Sequence, residues 1–423
     1  MKTLGTRLSS LVTVLTALAA SAEPLHHVSG GHWGWDGTAF ATDFYRAVAA
    51  EHPGGNLVTS PFSAATTFAM LATGARGETA RALGDALRFL RIKPCRSGDG
   101  NGEAETAFPS PEDFALPFRN QLAKLAEGPG RTEGIALETT ASLWTAPDFA
   151  PRPDFVDLVR REFSARAASV PMDEAGRAAI NASIAEATHG LVPELFTEPF
   201  ERDTALVLAG TVYLKAAWEE AFDPGLSFDA PFHTPSGDRP ARFMKRVSAS
   251  VETADLDGFS ALLLPYADGA LHLLVLLPDE GADIRDFEEK LSARRLGETV
   301  MALRKEKATV VLPRFSFASE GLGLLGTLRA LGAGPALDRP DFSGIADGGL
   351  AVGRAVQTAR IAVDEEGAEA AAATGVTMLR AAPSKPPRVF CADRPFLFAV
   401  VRFEFPDRVH LPVCLFLGRV TEP

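Results

Sequence analysis

Residues 206–214 read LVLAGTVYL, a nearly continuous apolar run without a charge. A run this short and this apolar suits a strand buried on both faces, so other layers must pack above and below it. Regular β–α alternation does not supply those layers. The first half is mainly helical: Phe40, Phe44 and Val48 recur at helical spacing, and Ser60-Pro61 opens a second helix that Gly74 ends. A third helix is expected from Thr79 to about Leu90, a surface loop over 94–112, a strand at 136–143, and helices near 153–165 and 174–188. Strands then dominate. Residues 261–264 and 271–277 flank the turn Ala267-Asp268-Gly269, 310–317 reads as one strand before a helix at 322–331, and apolar strands at 396–405 and 413–420 close the chain. This order, without repeats, specifies an α+β fold in one domain.

Lys2 and Arg7 accompany an apolar run at 8–19, and Ala20-Ser21-Ala22 is a small-residue cleavage site, so residues 1–22 read as an export signal. The expected location is secreted, or periplasmic if the source is a Gram-negative bacterium. His26, His27 and His32 lie beside Trp33 and Trp35, but Gly30, Gly31 and Gly34 make 23–37 a flexible tail, and no metal site is assigned to it. The folded domain is expected over 38–423. With 42 basic against 54 acidic side chains the net charge is −12, and no basic stripe is available for a phosphate backbone, which excludes nucleic acid as a partner. Beyond the N-terminus no apolar run reaches spanning length, and no membrane partner is expected. Cys95, Cys391 and Cys414 are too few for a disulfide framework, and a turn near Pro406-Asp407 sets the last two out of register for a bridge.

Gly321, Gly323 and Gly326 match G-x-G-x-x-G. The stretch 338–349 is turn-rich rather than the return of a βαβ unit, so incidental glycines at a helix start explain the match better than a dinucleotide. No nucleophile elbow, H-E-x-x-H or phosphate loop occurs, and His189, His233, His272 and His410 are scattered. Nothing in the residues points to a catalytic triad, and no cofactor is expected.

The informative segment is 363–387, VDEEGAEAAAATGVTMLRAAPSKPP. A surface helix is the plain reading of its Ala and Glu content. Gly367 and Gly375 interrupt that helix, β-branched Thr374, Val376 and Thr377 follow the alanines, and no proline occurs between Asp364 and Ala382. A segment that must become a central strand avoids proline and carries small side chains. In strand form Ala368, Ala370, Ala372 and Thr374 share one face, and Glu369, Ala371, Ala373 and Gly375 the other, so the charge lies on one face only. The composition suits a segment that is exposed loop in one state and buried strand in another.

From about Thr38 to Pro423 the chain resembles the serpins. The resemblance is carried by Asn56-Leu-Val-Thr-Ser60-Pro61-Phe-Ser63 with Gly74-Ala-Arg-Gly77-Glu-Thr79, by Ile180-Asn181 with Thr188 and Gly190, and by Tyr213-Leu-Lys215-Ala-Ala-Trp218 with Phe222. Leu264-Pro265-Tyr266, Leu277-Pro278, Leu312-Pro313-Arg314-Phe315, Phe342-Ser343-Gly344, Asp393-Arg394-Pro395-Phe396-Leu397-Phe398 and Phe416-Leu417-Gly418-Arg419-Val420 follow in family order. The resemblance implies three β-sheets, about eight to nine helices and an exposed reactive-centre loop at about 365–387. It implies a suicide-substrate inhibitor of serine or cysteine endopeptidases: the protease forms an acyl-enzyme with the loop, which then inserts into a sheet and traps it.

The hinge would be Glu365, Glu366, Gly367, Ala368, Glu369, Ala370, Ala371, Ala372, Ala373 and Thr374. The acyl donor is usually seventeenth from the first hinge glutamate, which selects Ala381 and the bond Ala381–Ala382, suited to an elastase- or subtilisin-like enzyme. Arg380 is the rival, for a trypsin-like target. Asn56, Ser60, Ser63, Gly210, Trp218 and Gln357 match the region where the sheet opens. The family usually has Asn and His where this chain has Gly210 and Gln357, so the Gln357 amide needs another partner, Ser60 or Ser63. Residues 111–128 hold only Arg119 and Lys124 as bases, and heparin-type activation is not expected. A monomer capable of loop–sheet polymers is expected; the alternative role is a non-inhibitory serpin acting as a binding or chaperone protein.

Overall fold

The 206–214 run forms the middle strand of a five-stranded sheet. The computed structural model describes residues 32–92, 109–127, 135–188, 190, 192–201, 204–367, 388–403 and 411–423. In chain order its strands are β1 (His32–Trp35), β2 (Leu57–Thr59), β3 (Phe89–Ile92), β4 (Ile135–Thr145), β5 (Arg166–Ser169), β6 (Leu206–Ala216), β7 (Phe228–Thr234) and β8 (Gly237–Leu256). They continue as β9 (Phe259–Pro265), β10 (Leu271–Pro278), β11 (Arg304–Pro313), β12 (Phe315–Gly323), β13 (Arg354–Val363), β14 (Arg388–Cys391), β15 (Phe396–Arg402) and β16 (Val413–Val420). Among the described residues they make three sheets: β12-β13-β6-β4-β5, the nine-stranded β14-β11-β8-β9-β10-β15-β16-β2 with β7 on β8, and the pair β1-β3.

The helix Pro61–Thr73 lies between the two large sheets, and every one of its residues is buried. That is why its sequence, PFSAATTFAMLAT, is apolar or small on all sides. Ser60 caps it by accepting from the Ser63 N–H, with Pro61 in the first turn where its missing donor costs nothing. Leu206, Leu208, Val212 and Leu214 of β6 face this main core. Val207 and Ala209 face a second cluster with Trp144, Ile180, Ile184 and Phe196, built under the helix Glu174–Ala187. Burial on both faces is what the unbroken apolar run specified.

Several expectations need correction. The tail expected over 23–37 is a strand from His32, antiparallel to β3, because the Trp35 ring packs on Phe118 at 4.6 Å and its indole N–H donates to the Leu87 carbonyl. Residues 23–31 lie outside the described residues. The single strand expected at 310–317 is two strands in different sheets, since Pro313 has no N–H for a ladder and the chain crosses over at Arg314. The helix expected at 79–90 spans Gly77–Ala86, and Phe89 already belongs to β3. At 322–331 the helix proper is Leu324–Leu328; Gly321 and Gly323 sit at the end of β12, not in a phosphate-binding turn. Cys391 and Cys414 are free thiols in β14 and β16, and Cys414 pairs in register with Val401.

Candidate functional site

Within the five-stranded sheet β12–β13 and β6–β4 are antiparallel, whereas β13 and β6 run parallel, with Arg354–Ala359 opposite Val207–Val212. Beyond Ala359 and Val212 this ladder stops, and the next link is an isolated bridge between Ala217 and Gly367. The sheet is therefore closed at its middle and parted at one end. A strand entering antiparallel between β6 and β13 would replace one parallel pair with two antiparallel ones, the slightly more stable arrangement.

At the middle of the seam Gln357 stands opposite Gly210. Gln357 is fully buried, and its amide is satisfied by one residue: the Ser60 N–H donates to Oε1 at 3.0 Å, and Nε2 donates to the Ser60 carbonyl at 2.8 Å. Of the two partners expected for it, the structure selects Ser60. The Ser60 hydroxyl in turn donates to the Leu415 carbonyl at 2.6 Å, so β13 is tied through Ser60 to β16. Asn56 pins the chain end beyond β16, accepting from the Thr421 N–H at 2.7 Å and the Glu422 N–H at 3.0 Å. Gly210 carries no such tie. A Cβ there would lie 2.7 Å from Thr67 Oγ1 and 2.9 Å from Ser63 Oγ, so only glycine lets β6 approach the helix this closely. The Ser63 hydroxyl is buried and has no hydrogen-bond partner.

At the parted end Trp218 stacks on Tyr266, centroids 4.5 Å apart and planes 5° apart, while its indole N–H donates to the Asp364 carbonyl at 2.9 Å. Its backbone N–H donates to the Glu366 carbonyl, and the Phe222 N–H to the Glu365 carbonyl at 2.7 Å. Glu365 is 2% exposed. Its carboxylate accepts from the Ser227 hydroxyl at 2.5 Å and from the half-exposed Arg314 guanidinium. Burial works against the charge, but the Ser227 and Arg314 hydrogen bonds outweigh it and hold the carboxyl below the usual glutamate range. Gly367 has φ +119°, and a Cβ would lie 2.2 Å from the Ala216 carbonyl oxygen, so glycine is required for the bridge to Ala217. The Asp364 carboxylate accepts from the Glu366 and Gly367 N–H groups, completing a tight turn as the chain leaves the sheet.

The structure thus brings Ser60, Ser63, Gly210 and Gln357 together at the seam, and Trp218, Glu365, Glu366 and Gly367 at its open end. Ala368, Glu369, Ala370, Ala371, Ala372, Ala373, Thr374, Arg380, Ala381 and Ala382 lie outside the described residues. Sequence reasoning missed Ser227 and the role of Arg314. The burial of Glu365 is what requires a cationic or hydroxyl partner, and that burial is set by the fold rather than by local sequence.

A family model described as serpin (serine protease inhibitor) matches residues 36–423. An uncharacterized serpin-like protein of Thermococcus kodakarensis is 31% identical over 394 residues, covering 91% of this chain and 84% of its own. The leukocyte elastase inhibitor of Sus scrofa is 30% identical over 411 residues, covering 91% of this chain and 98% of its own. Among solved structures, the thermophilic serpin tengpin in its native state aligns with a TM-score of 0.76 at 22% identity, covering 92% of this chain and 94% of its own. Thyroxine-binding globulin in complex with thyroxine aligns with a TM-score of 0.75 at 23% identity, covering 92% and 98%.

Proposed function

The chain belongs to the serpin family, and on that premise we propose that it is a suicide-substrate inhibitor of serine endopeptidases. The observation that carries the reading is the parallel β6–β13 seam, parted at the end where Gly367 leaves it. Cleavage at Ala381–Ala382 frees the Pro-free, small-residue segment 367–381, and Gly367 at its start already bridges to Ala217 at the open end of the seam. Serine attack on the scissile carbonyl forms an acyl-enzyme. Insertion ahead of deacylation then drags the attached protease away from the attacking face, and the acyl bond persists. The free energy comes from completing the sheet.

The scissile bond is Ala381–Ala382 in this reading, and the target an enzyme with a small specificity pocket; the relative named a leukocyte elastase inhibitor supports that class. Arg380–Ala381 is the competing bond, with a trypsin-like target. Secretion after removal of residues 1–22 belongs to the same proposal, and intact mass of the exported protein beginning at Glu23 would support it. The test is incubation with pancreatic elastase, subtilisin and trypsin, read by denaturing gel and mass spectrometry. A denaturant-resistant complex with a released peptide starting at Ala382 is expected; a peptide starting at Ala381 reassigns the bond to Arg380. Clean cleavage without any complex refutes inhibition and leaves a binding role, as the thyroxine complex of its fold relative illustrates.

A further inference from the structure

A cleft of about 860 Å³ opens between the β8–β9 turn, the loop after β10 and the helices Ile284–Glu289 and Ala293–Ala302. Gly258 and Gly281 turn the two loops with φ of +83° and +80°, and the Asp279 N–H ties them by donating to the Gly258 carbonyl at 3.0 Å. Beneath them the buried Phe259 and Phe287 rings meet edge to face at 5.1 Å. The guanidinium of Arg295 lies on both rings, its carbon 4.7 Å from one centroid and 4.8 Å from the other. The rings hold the fork in place. Of its donors only Nη2 is engaged, weakly, on the Asp257 carbonyl at 3.4 Å.

Seven charged side chains line this cleft, and three of them are engaged elsewhere. The Asp283 carboxylate accepts from the Arg285 N–H at 2.8 Å, and Arg294 donates to Glu298 at 2.8 Å. The other four, Asp257, Asp286, Lys290 and Arg295, form no ion pair among the described residues, although Asp286 and Lys290 stand four apart in the chain. Opposite charges are therefore held apart around one cavity instead of neutralising each other. With four carboxylates against three cations a purely anionic ligand meets a net negative wall, and a purely cationic one meets Arg295 and Lys290. A zwitterion avoids both. A ring-backed guanidinium fork suits a carboxylate, and two free carboxylates suit an ammonium group. The volume lies high in the range of small-molecule sites, roughly 300–1,000 Å³, and has room for several residues.

We propose that this cleft binds a short peptide with free termini, its terminal carboxylate on Arg295 and Lys290 and its terminal ammonium on Asp257 and Asp286. No lining residue belongs to β6 or β13, so the site is independent of the insertion reading.

The test titrates full-length protein with trialanine by isothermal calorimetry, beside its N-acetyl form, its C-terminal amide and propionate. Saturable binding of trialanine is expected, and blocking either terminus should weaken it about tenfold, the loss of one charge-assisted contact. Asp286→Asn and Lys290→Gln alter exposed side chains with no ion pair, so each should leave the thermal midpoint in place while weakening trialanine about threefold. Arg295→Lys keeps the charge and loses the fork; it should weaken trialanine and spare the amide form. Equal binding of the blocked peptides, propionate as tight as trialanine, or no saturation at millimolar trialanine would overturn the proposal. Binding untouched by the Asp286 and Lys290 substitutions would overturn it too, since the peptide would then sit elsewhere.

Discussion

Replacing Gln357 by leucine removes an amide that is nearly matched in shape and leaves one main-chain group behind. The Ser60 N–H, now donating to Gln357 at 3.0 Å, becomes unsatisfied at a residue with 0% exposure, whereas the Ser60 carbonyl keeps the Ala64 N–H at 3.0 Å. An orphaned buried polar group costs roughly 1–3 kcal/mol, and the extra apolar burial of leucine returns part of that. The net loss is expected at about 1–2 kcal/mol, a sizeable share of the roughly 5–15 kcal/mol that holds a typical domain together. Urea unfolding of the intact protein, with the m-value checked for constancy, measures it. Because Gln357 ties β13 to Ser60 and through it to β16, the variant should also self-associate faster on mild heating, read by native gel. A loss below about 1 kcal/mol would refute the claim that this pair carries the middle of the seam.

Other outcomes follow from the open end. The Glu365 carboxyl is held low in the folded state, so its stabilising effect is full above the unfolded glutamate pKa of about 4.3 and is lost as pH falls through the lower folded value; Glu365→Gln should flatten that part of the stability–pH curve, and an unchanged slope would argue against it. Gly367→Ala places a methyl 2.2 Å from the Ala216 oxygen, so the bridge to Ala217 should break, seen as faster amide exchange at Trp218, whose N–H donates to the Glu366 carbonyl, with little change far from the turn. Trp218→Phe keeps the stack on Tyr266 but loses the bond to Asp364, and should cost about 1 kcal/mol in urea unfolding. Burial pushes the Cys414 thiol up to about 12, so iodoacetamide at pH 8 should leave it unmodified until the protein unfolds, as peptide mass mapping would show.

The elements that could be read from the sequence were those whose pattern has a single cause. Residues 206–214 are apolar on both faces because β6 is covered on both faces, and the 261–277 hairpin is marked by its Ala-Asp-Gly turn. The seam residues Ser60, Gly210 and Gln357 were legible through the family resemblance, which set Gly210 and Gln357 at the opening of the sheet; a buried glutamine then needs partners, and Ser60 was one of the two named. What escaped depends on contacts far apart in the chain. Pro313 was the one local sign of the break at Arg314, but which sheet each half joins is set by distant partners, and β1 is stabilised by Trp35 against Phe118, a contact 83 residues away that outweighs the glycines around it. The Ser227–Glu365 bond joins residues 138 apart, and no local spacing announces it.

The claim on which the rest depends is that β6 and β13 part to accept a strand. Thermal unfolding of the intact and the loop-cleaved protein, followed side by side by circular dichroism at one concentration, tests it most directly. The account predicts a higher midpoint in the cleaved form, because the six-residue parallel pairing is replaced by two antiparallel ladders. An unchanged or lower midpoint after a cut between Gly367 and Arg388 would contradict it.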